Sequence, residues 1–121
     1  MHYENVPAVS ISVAEAALIA GNYEALATYV IGVALHEPDA QSAIAICLKS
    51  ARVGNSVVRG NAILGFGHLA RRFGKLESKE IKPVVVAGLK DSDSYVRGQS
   101  HAAADDLEHF LGWHVHGQAD V

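Results

Sequence analysis

Apolar residues recur along this chain at spacings of three and four, while alternation of period two is scarce; the pattern predicts helices and no sheet. Turn punctuation falls every 12 to 18 residues, as expected of helices joined by short loops. Ser12 with Glu15 reads as a capping box that opens a helix ending at Gly21. Asn22 is placed to cap the next, whose Leu26, Tyr29, Val30 and Val33 follow helical spacing. Proline cannot continue a helix, so His36-Glu37-Pro38-Asp39 closes that one and caps a third. The third runs from Ala40 to about Arg52 with the stripe Ala43, Ile44, Cys47, Leu48 and Ala51. Gly54-Asn55 then opens a long helix, roughly Ser56 to Phe73, stopped by Gly74. A further helix carries Ile81 to Leu89 with Pro83 in its first turn. Asp91-Ser92-Asp93 leads into the last, near Ser94 to Leu111, and Gly112 and Gly117 mark a polar tail expected to fray.

An internal repeat organises these helices. Asn55-Ser56-Val57-Val58-Arg59-Gly60-Asn61 returns 38 residues later as Asp93-Ser94-Tyr95-Val96-Arg97-Gly98-Gln99. Each copy follows an apolar helix and opens another. These residues resemble the HEAT-repeat family, whose unit is two antiparallel helices with an acid shortly before a Val-Arg pair at the second helix. Pro83, Leu89, Asp91, Val96 and Arg97 match that signature in the last unit. The middle unit keeps Val58 and Arg59 but has Asn55 where an acid is usual, and the first pair has no Val-Arg.

The resemblance implies an all-α fold, a short right-handed stack of about three antiparallel helix hairpins (a HEAT-like α-solenoid). The hairpins fall at about 11–36, 39–73 and 78–111, with a polar tail at 112–121, all within one domain spanning 1–121. One helix pair cannot bury its apolar face alone, whereas stacked pairs share a core. Arg59 and Arg97 lie at helix N-termini, where the dipole disfavours a cation. A compensating acid is therefore expected, and Asp91 is the inter-repeat candidate.

Composition narrows the class. Of 121 residues half are hydrophobic and only 7% aromatic, enough apolar surface for a core. The single cysteine, Cys47, excludes an intramolecular disulfide framework and a multi-cysteine zinc site. Met1-His2-Tyr3-Glu4-Asn5 lacks the basic start of a secretory signal, and Val84 to Leu89 is too short to span a bilayer. The expectation is a cytoplasmic protein without a membrane partner. The net charge of −3 hides three blocks: −5 over residues 1–42, +7 over 43–90 and −5 over 91–121. Such blocks bear on partner steering more than on folding.

No constellation points to catalysis. His101, Asp105, Glu108 and His109 share one helix face, opposite Val96, Ala103, Leu107 and Phe110, which are expected in the core. That polar face reads as solvated, because a closed metal site needs a further ligand and an ordered second shell. His114 and His116 flank Val115 in the tail. Cys47 sits on an apolar stripe and reads as a buried thiol. Ser12, Ser56 and Ser94 are caps, and Gly60 and Gly65-Phe66-Gly67 lie inside a helix, unlike a phosphate loop. No catalytic, cofactor-binding or metal-ligating residue is assigned, and no small-molecule substrate is expected. Gly60, Ile63 and Gly67 project away from Val58, Ala62, Leu69 and Phe73, which predicts close approach by a neighbouring helix or a partner along a ridge that Arg71 continues.

What the family resemblance implies for function is binding through an extended surface. Compact HEAT-like helical proteins look like immunity proteins of bacterial contact-dependent growth inhibition and related polymorphic toxin systems, which occlude a toxin domain, often a basic nuclease. Here Asp105, Asp106 and Glu108 next to Trp113 offer acidic steering with an aromatic anchor. The candidate partner-binding set is His101, Asp105, Asp106, Glu108, His109, Trp113, Ile63 and Arg71. The partner expected is a basic toxin domain. A general HEAT-repeat adaptor is the alternative. A nucleic-acid-binding role, like that of HEAT-like DNA alkylation-repair proteins, draws on the +7 block but is opposed by the acidic ends and the short stack. A bilin-lyase-like role ranks last, for want of room for a chromophore pocket.

Overall fold

The computed structural model describes residues 5–119, which form seven helices and no strand. These are α1 (Ile11–Ala20), α2 (Tyr23–His36), α3 (Ala40–Ser50), α4 (Ser56–Phe73), α5 (Ile81–Leu89), α6 (Ser94–Leu111) and the short α7 (His116–Ala119). Local chemistry sets their ends. Asn55 Oδ1 accepts from the N–H groups of Val57 and Val58 at 3.0 and 3.1 Å. Asp93 Oδ1 does the same for Tyr95 and Val96 at 2.9 and 3.1 Å. Each helix then runs 18 residues to a left-handed glycine, Gly74 or Gly112. The repeat therefore holds from cap to cap. One start differs from expectation: α1 is capped by Ser10, whose extended backbone lets its Oγ accept from Val13 N at 3.2 Å, so Ser12 falls inside the first turn.

Packing centres on α4, which lies between α2 and α6 and also meets α3 and α5. Every residue from Gly60 to Ala70 is buried, and one apolar cluster reaches every helix from α1 to α6. The glycines of α4 allow the close crossing. A Cβ at Gly60 would stand 2.9 Å from the Tyr95 ring, and one at Gly67 would stand 3.2 Å from the Ala103 Cα. The Gly60–Ile63–Gly67 ridge is thus a helix–helix contact. Ile63, expected on a partner surface, is 2% exposed because the α5–α6 pair covers it. Phe110 departs in the other direction at 39% exposed. In the register that sets Gly67 against Ala103, Phe110 falls opposite Gly74, where α4 has ended.

Asp91 is the acid that Arg59 requires. Arg59 Nε and Nη2 donate to its two carboxylate oxygens at 3.1 Å each, while Nη1 holds the Val53 and Gly54 carbonyls. The pair is about one-fifth exposed and bolts α4 to the turn before α6. The Arg59 hydrogen bonds, with a backbone bond from Asp93, hold the Asp91 carboxyl below its usual pKa. A depressed carboxylate pKa gives stability that is present above the ordinary value and lost as pH falls through the lowered one. Arg59→Met is expected to lower unfolding free energy by about 1–2 kcal/mol at neutral pH. The deficit should shrink as pH falls below the ordinary carboxylate range and through the lowered pKa; urea titrations at neutral and at acidic pH measure both.

Chain segments before α1 and after α6 also pack onto the helices. Residues 6–9 lie along α2: His36 Nε2 donates to Val6 O at 2.7 Å, and Pro7 O approaches Gly32 so closely that a Cβ there would sit 2.5 Å away. At the other end the tail expected to fray packs back onto the fold over residues 112–119, the last two positions lying outside the described residues. Val115 is fully buried, and α7 packs on α5 and α6.

Candidate functional site

The predicted site residues fall into three places. On the outward side of α6, His101, Asp105 and His109 are exposed as expected. They are joined by His116 of α7, from the tail that the sequence predicts to fray. Its Nε2 donates to Asp105 Oδ1 at 2.8 Å, and its ring stacks on that of His101 at 5.3 Å between centroids. His109 meets Phe110 edge-on at 4.6 Å. Phe110 thereby adds an apolar ring to a face expected to be polar. Among the described residues no group of three His, Cys, Asp or Glu could hold a metal ion.

Glu108 turns from that face to the tail. Its Oε2 accepts from Val115 N and His116 N, both at 2.8 Å, and these bonds hold its carboxyl below the usual range. The consequence is a built-in reporter, since Trp113 is the single tryptophan and lies in the segment that Glu108 secures. Glu108→Ala is expected to speed amide exchange at Val115 and His116 by tenfold or more, roughly the effect of losing both acceptors. Trp113 emission should shift red with it. In the wild-type chain the same release should occur only on acidification, as pH drops below the ordinary glutamate value of about 4.3 and through the lowered one.

Trp113 itself does not stand among the carboxylates. It lines an open cleft of about 500 Å³ with Ser78, Lys79, Lys82, Gly112 and His114. The turn at Gly112 reverses the chain, so adjacency in sequence is not adjacency on the surface. The cleft beside Trp113 is thus lined by two lysines rather than by the acidic side chains expected around it.

The third place is the seam of α2, α4 and α6. Asn61 Nδ2 donates to Ala27 O at 2.9 Å, and its Oδ1 accepts from Tyr95 Oη and, at 3.0 Å, from Gln99 Nε2. Gln99 Nε2 also reaches Tyr95 Oη at 3.0 Å. These side chains tie three helices together in a largely buried polar network. The one signal for it was that Asn61 and Gln99 occupy equivalent repeat positions. Further along α4, burial and then the Arg71 charge pull His68 down to a pKa of about 4, and Arg71 Nη2 donates to its Nδ1 at 3.0 Å. Arg71 is exposed beside the half-buried Asp106, whose carboxyl is raised by burial, opposed by Arg71 and raised again by Asp105. Asp106 is therefore packed against Gly67 as much as it is presented to solvent.

Besides Arg71, four of the nine bases in the basic block make contacts with other described residues. Arg59 holds Asp91, Arg72 donates to the Ala34 and Glu37 carbonyls at the end of α2, Arg52 pairs with Glu80 and Lys75 with Glu77. Cys47 is fully buried, and burial pushes its thiol up to about 12, as expected of a structural cysteine. No helix among the described residues is long and apolar enough to cross a membrane. No known protein family, curated protein or solved structure matches the chain.

Proposed function

We propose that the chain is a non-catalytic protein-binding domain, built as a short HEAT-like stack of the pairs α1–α2, α3–α4 and α5–α6. In its most specific form the reading is an immunity protein that occludes a basic toxin domain. The observation that carries it is the outward face of α6. An 18-residue helix, anchored to α4 by close glycine contacts, presents His101, Asp105, His109 and Phe110 from a rigid base. A fixed helix face with an acidic side chain and an exposed aromatic ring suits a preorganised interface, which loses little entropy on binding. The −5 balance over residues 91–121 adds attraction for a basic partner. The consumption of Arg52, Arg59, Arg72 and Lys75 in internal contacts weighs against a phosphate-binding role for the basic block.

The test is co-expression with the product of the adjacent reading frame. Survival of the host and a stoichiometric complex by size-exclusion light scattering are expected. A product that kills in the presence of the chain, and migrates apart from it, overturns the immunity reading. Within a complex, Asp105→Lys is expected to slow association by about tenfold at low salt and to flatten its salt dependence. Stopped-flow rates at two ionic strengths measure this, and unchanged rates would remove the α6 face as the site.

A further inference from the structure

The surroundings of α4 show what its repeat partner α6 lacks. Along α4, Gly60, Leu64, Gly67 and Arg71 follow one another at spacings of four, three and four, so they share one side. There α6 lies on them, with Tyr95 and Gln99 over Gly60 and Ala103 and Asp106 over Gly67. Thirty-eight residues on, the equivalent positions are Gly98, Ala102, Asp105 and His109. All four are exposed, and nothing stands within 4 Å of a Cβ built at Gly98.

Arg97 makes the same point independently. Its Nη1 holds the Asp91 and Ser92 carbonyls at 2.8 and 2.9 Å, just as Arg59 holds those of Val53 and Gly54. Arg59 also grips a carboxylate of the following hairpin through Nε and Nη2. Among the described residues no carboxylate lies within 4 Å of Arg97, whose charge acts on the Asp91 carboxyl only from a distance. At one end of the stack, then, the edge has no helix laid along Gly98 and the matching arginine grips no carboxylate.

The occupant is constrained by what the chain already covers. At this end α7 packs chiefly on α5 and reaches α6 through His116, which bonds Asp105 and stacks on His101 but leaves Gly98, Ala102 and His109 exposed. At the opposite end residues 6–9 cover α2 at Gly32, which removes the surface a second copy would need for head-to-tail stacking.

We propose that Arg97, Gly98, Ala102, Asp105 and His109 form a stacking position for a helical hairpin of a partner protein. The hairpin carries a carboxylate in the turn before its second helix, for Arg97. It lays an aromatic or amide side chain over Gly98, as Tyr95 and Gln99 lie over Gly60. It sets a lysine or arginine against Asp105, which stands where α4 has Gly67. The proposal rests on the protein-binding reading above and names the docking mode.

The probe is the chain's own third hairpin. Residues 75–112 are duplicated directly after Gly112, with Asp106→Lys in the added copy to meet Asp105. The expected result is a single urea transition whose m-value rises by about a third, with slowed amide exchange in the added residues. Gly98→Trp in the first copy should abolish both gains, while in the 121-residue chain, where that site is open, it should leave the urea midpoint nearly unchanged. An unchanged m-value with the added residues exchanging at free-peptide rates overturns the proposal. So does a dimer of the native chain in light scattering that Gly98→Trp dissociates, since the edge would then belong to a second copy. No toxin enters this experiment, so failure of the immunity reading and failure of the stacking edge are read separately.

Discussion

Alanine in place of Phe66 is expected to lower the free energy of unfolding by about 4 kcal/mol, the scale for emptying a phenylalanine site that cannot collapse. Phe66 is the largest fully buried side chain, on the helix that four others pack against. Its loss leaves a cavity inside the packed core, which neighbours held in their own helices refill only in part. Such a loss is a large part of the roughly 5–15 kcal/mol that holds a typical domain together. Urea denaturation followed by circular dichroism measures it. The midpoint should fall with the m-value unchanged, because the surface exposed on unfolding is nearly the same. A loss under about 1 kcal/mol would mean that α4 is not the packing centre.

Gly67→Val is expected to cost about 3 kcal/mol, the upper range for overpacking a close helix crossing. A Cβ at that position already meets the Ala103 Cα and the Asp106 Cβ at 3.2 Å, and the branched methyls would push against the α6 backbone. Gly98 supplies the control. It is also a glycine inside an 18-residue helix, but its surroundings are open. Gly98→Ala should stabilise by about 0.5–1 kcal/mol, through helix propensity and a less flexible unfolded chain. The same kind of change thus has opposite signs at two second-helix glycines. Thermal melts of the two variants check both signs; stabilisation by Gly67→Val would contradict the close α4–α6 crossing.

The boundaries of these helices were readable because caps act within a few residues. Asn22, Asp39, Asn55 and Asp93 accept N–H bonds where the sequence puts them, and Gly21, Gly74 and Gly112 adopt the left-handed turn. The Arg59–Asp91 pair was readable too, because a cation at a helix start must find an acid. Exposure was harder. A helical projection fixes the direction of Ile63 but not how many neighbours surround the helix, and α4 is covered on every side between Gly60 and Ala70. Trp113 and Val115 were misjudged for a related reason. Composition made the tail polar, whereas a single carboxylate, Glu108, draws two of its amides back onto the fold. Of the candidate face, His101, Asp105 and His109 were foreseen as exposed; His116 and the exposed Phe110 were supplied by tertiary structure.

The central claim is that the outward side of α6 carries the partner. Its most direct test is hydrogen–deuterium exchange of the full chain, alone and with a saturating amount of the product of the adjacent reading frame, the partner proposed above. The account predicts slowed exchange concentrated between Asp91 and Leu111, with α1 and α3 unchanged. Slowing confined to α1 through α3 would contradict it.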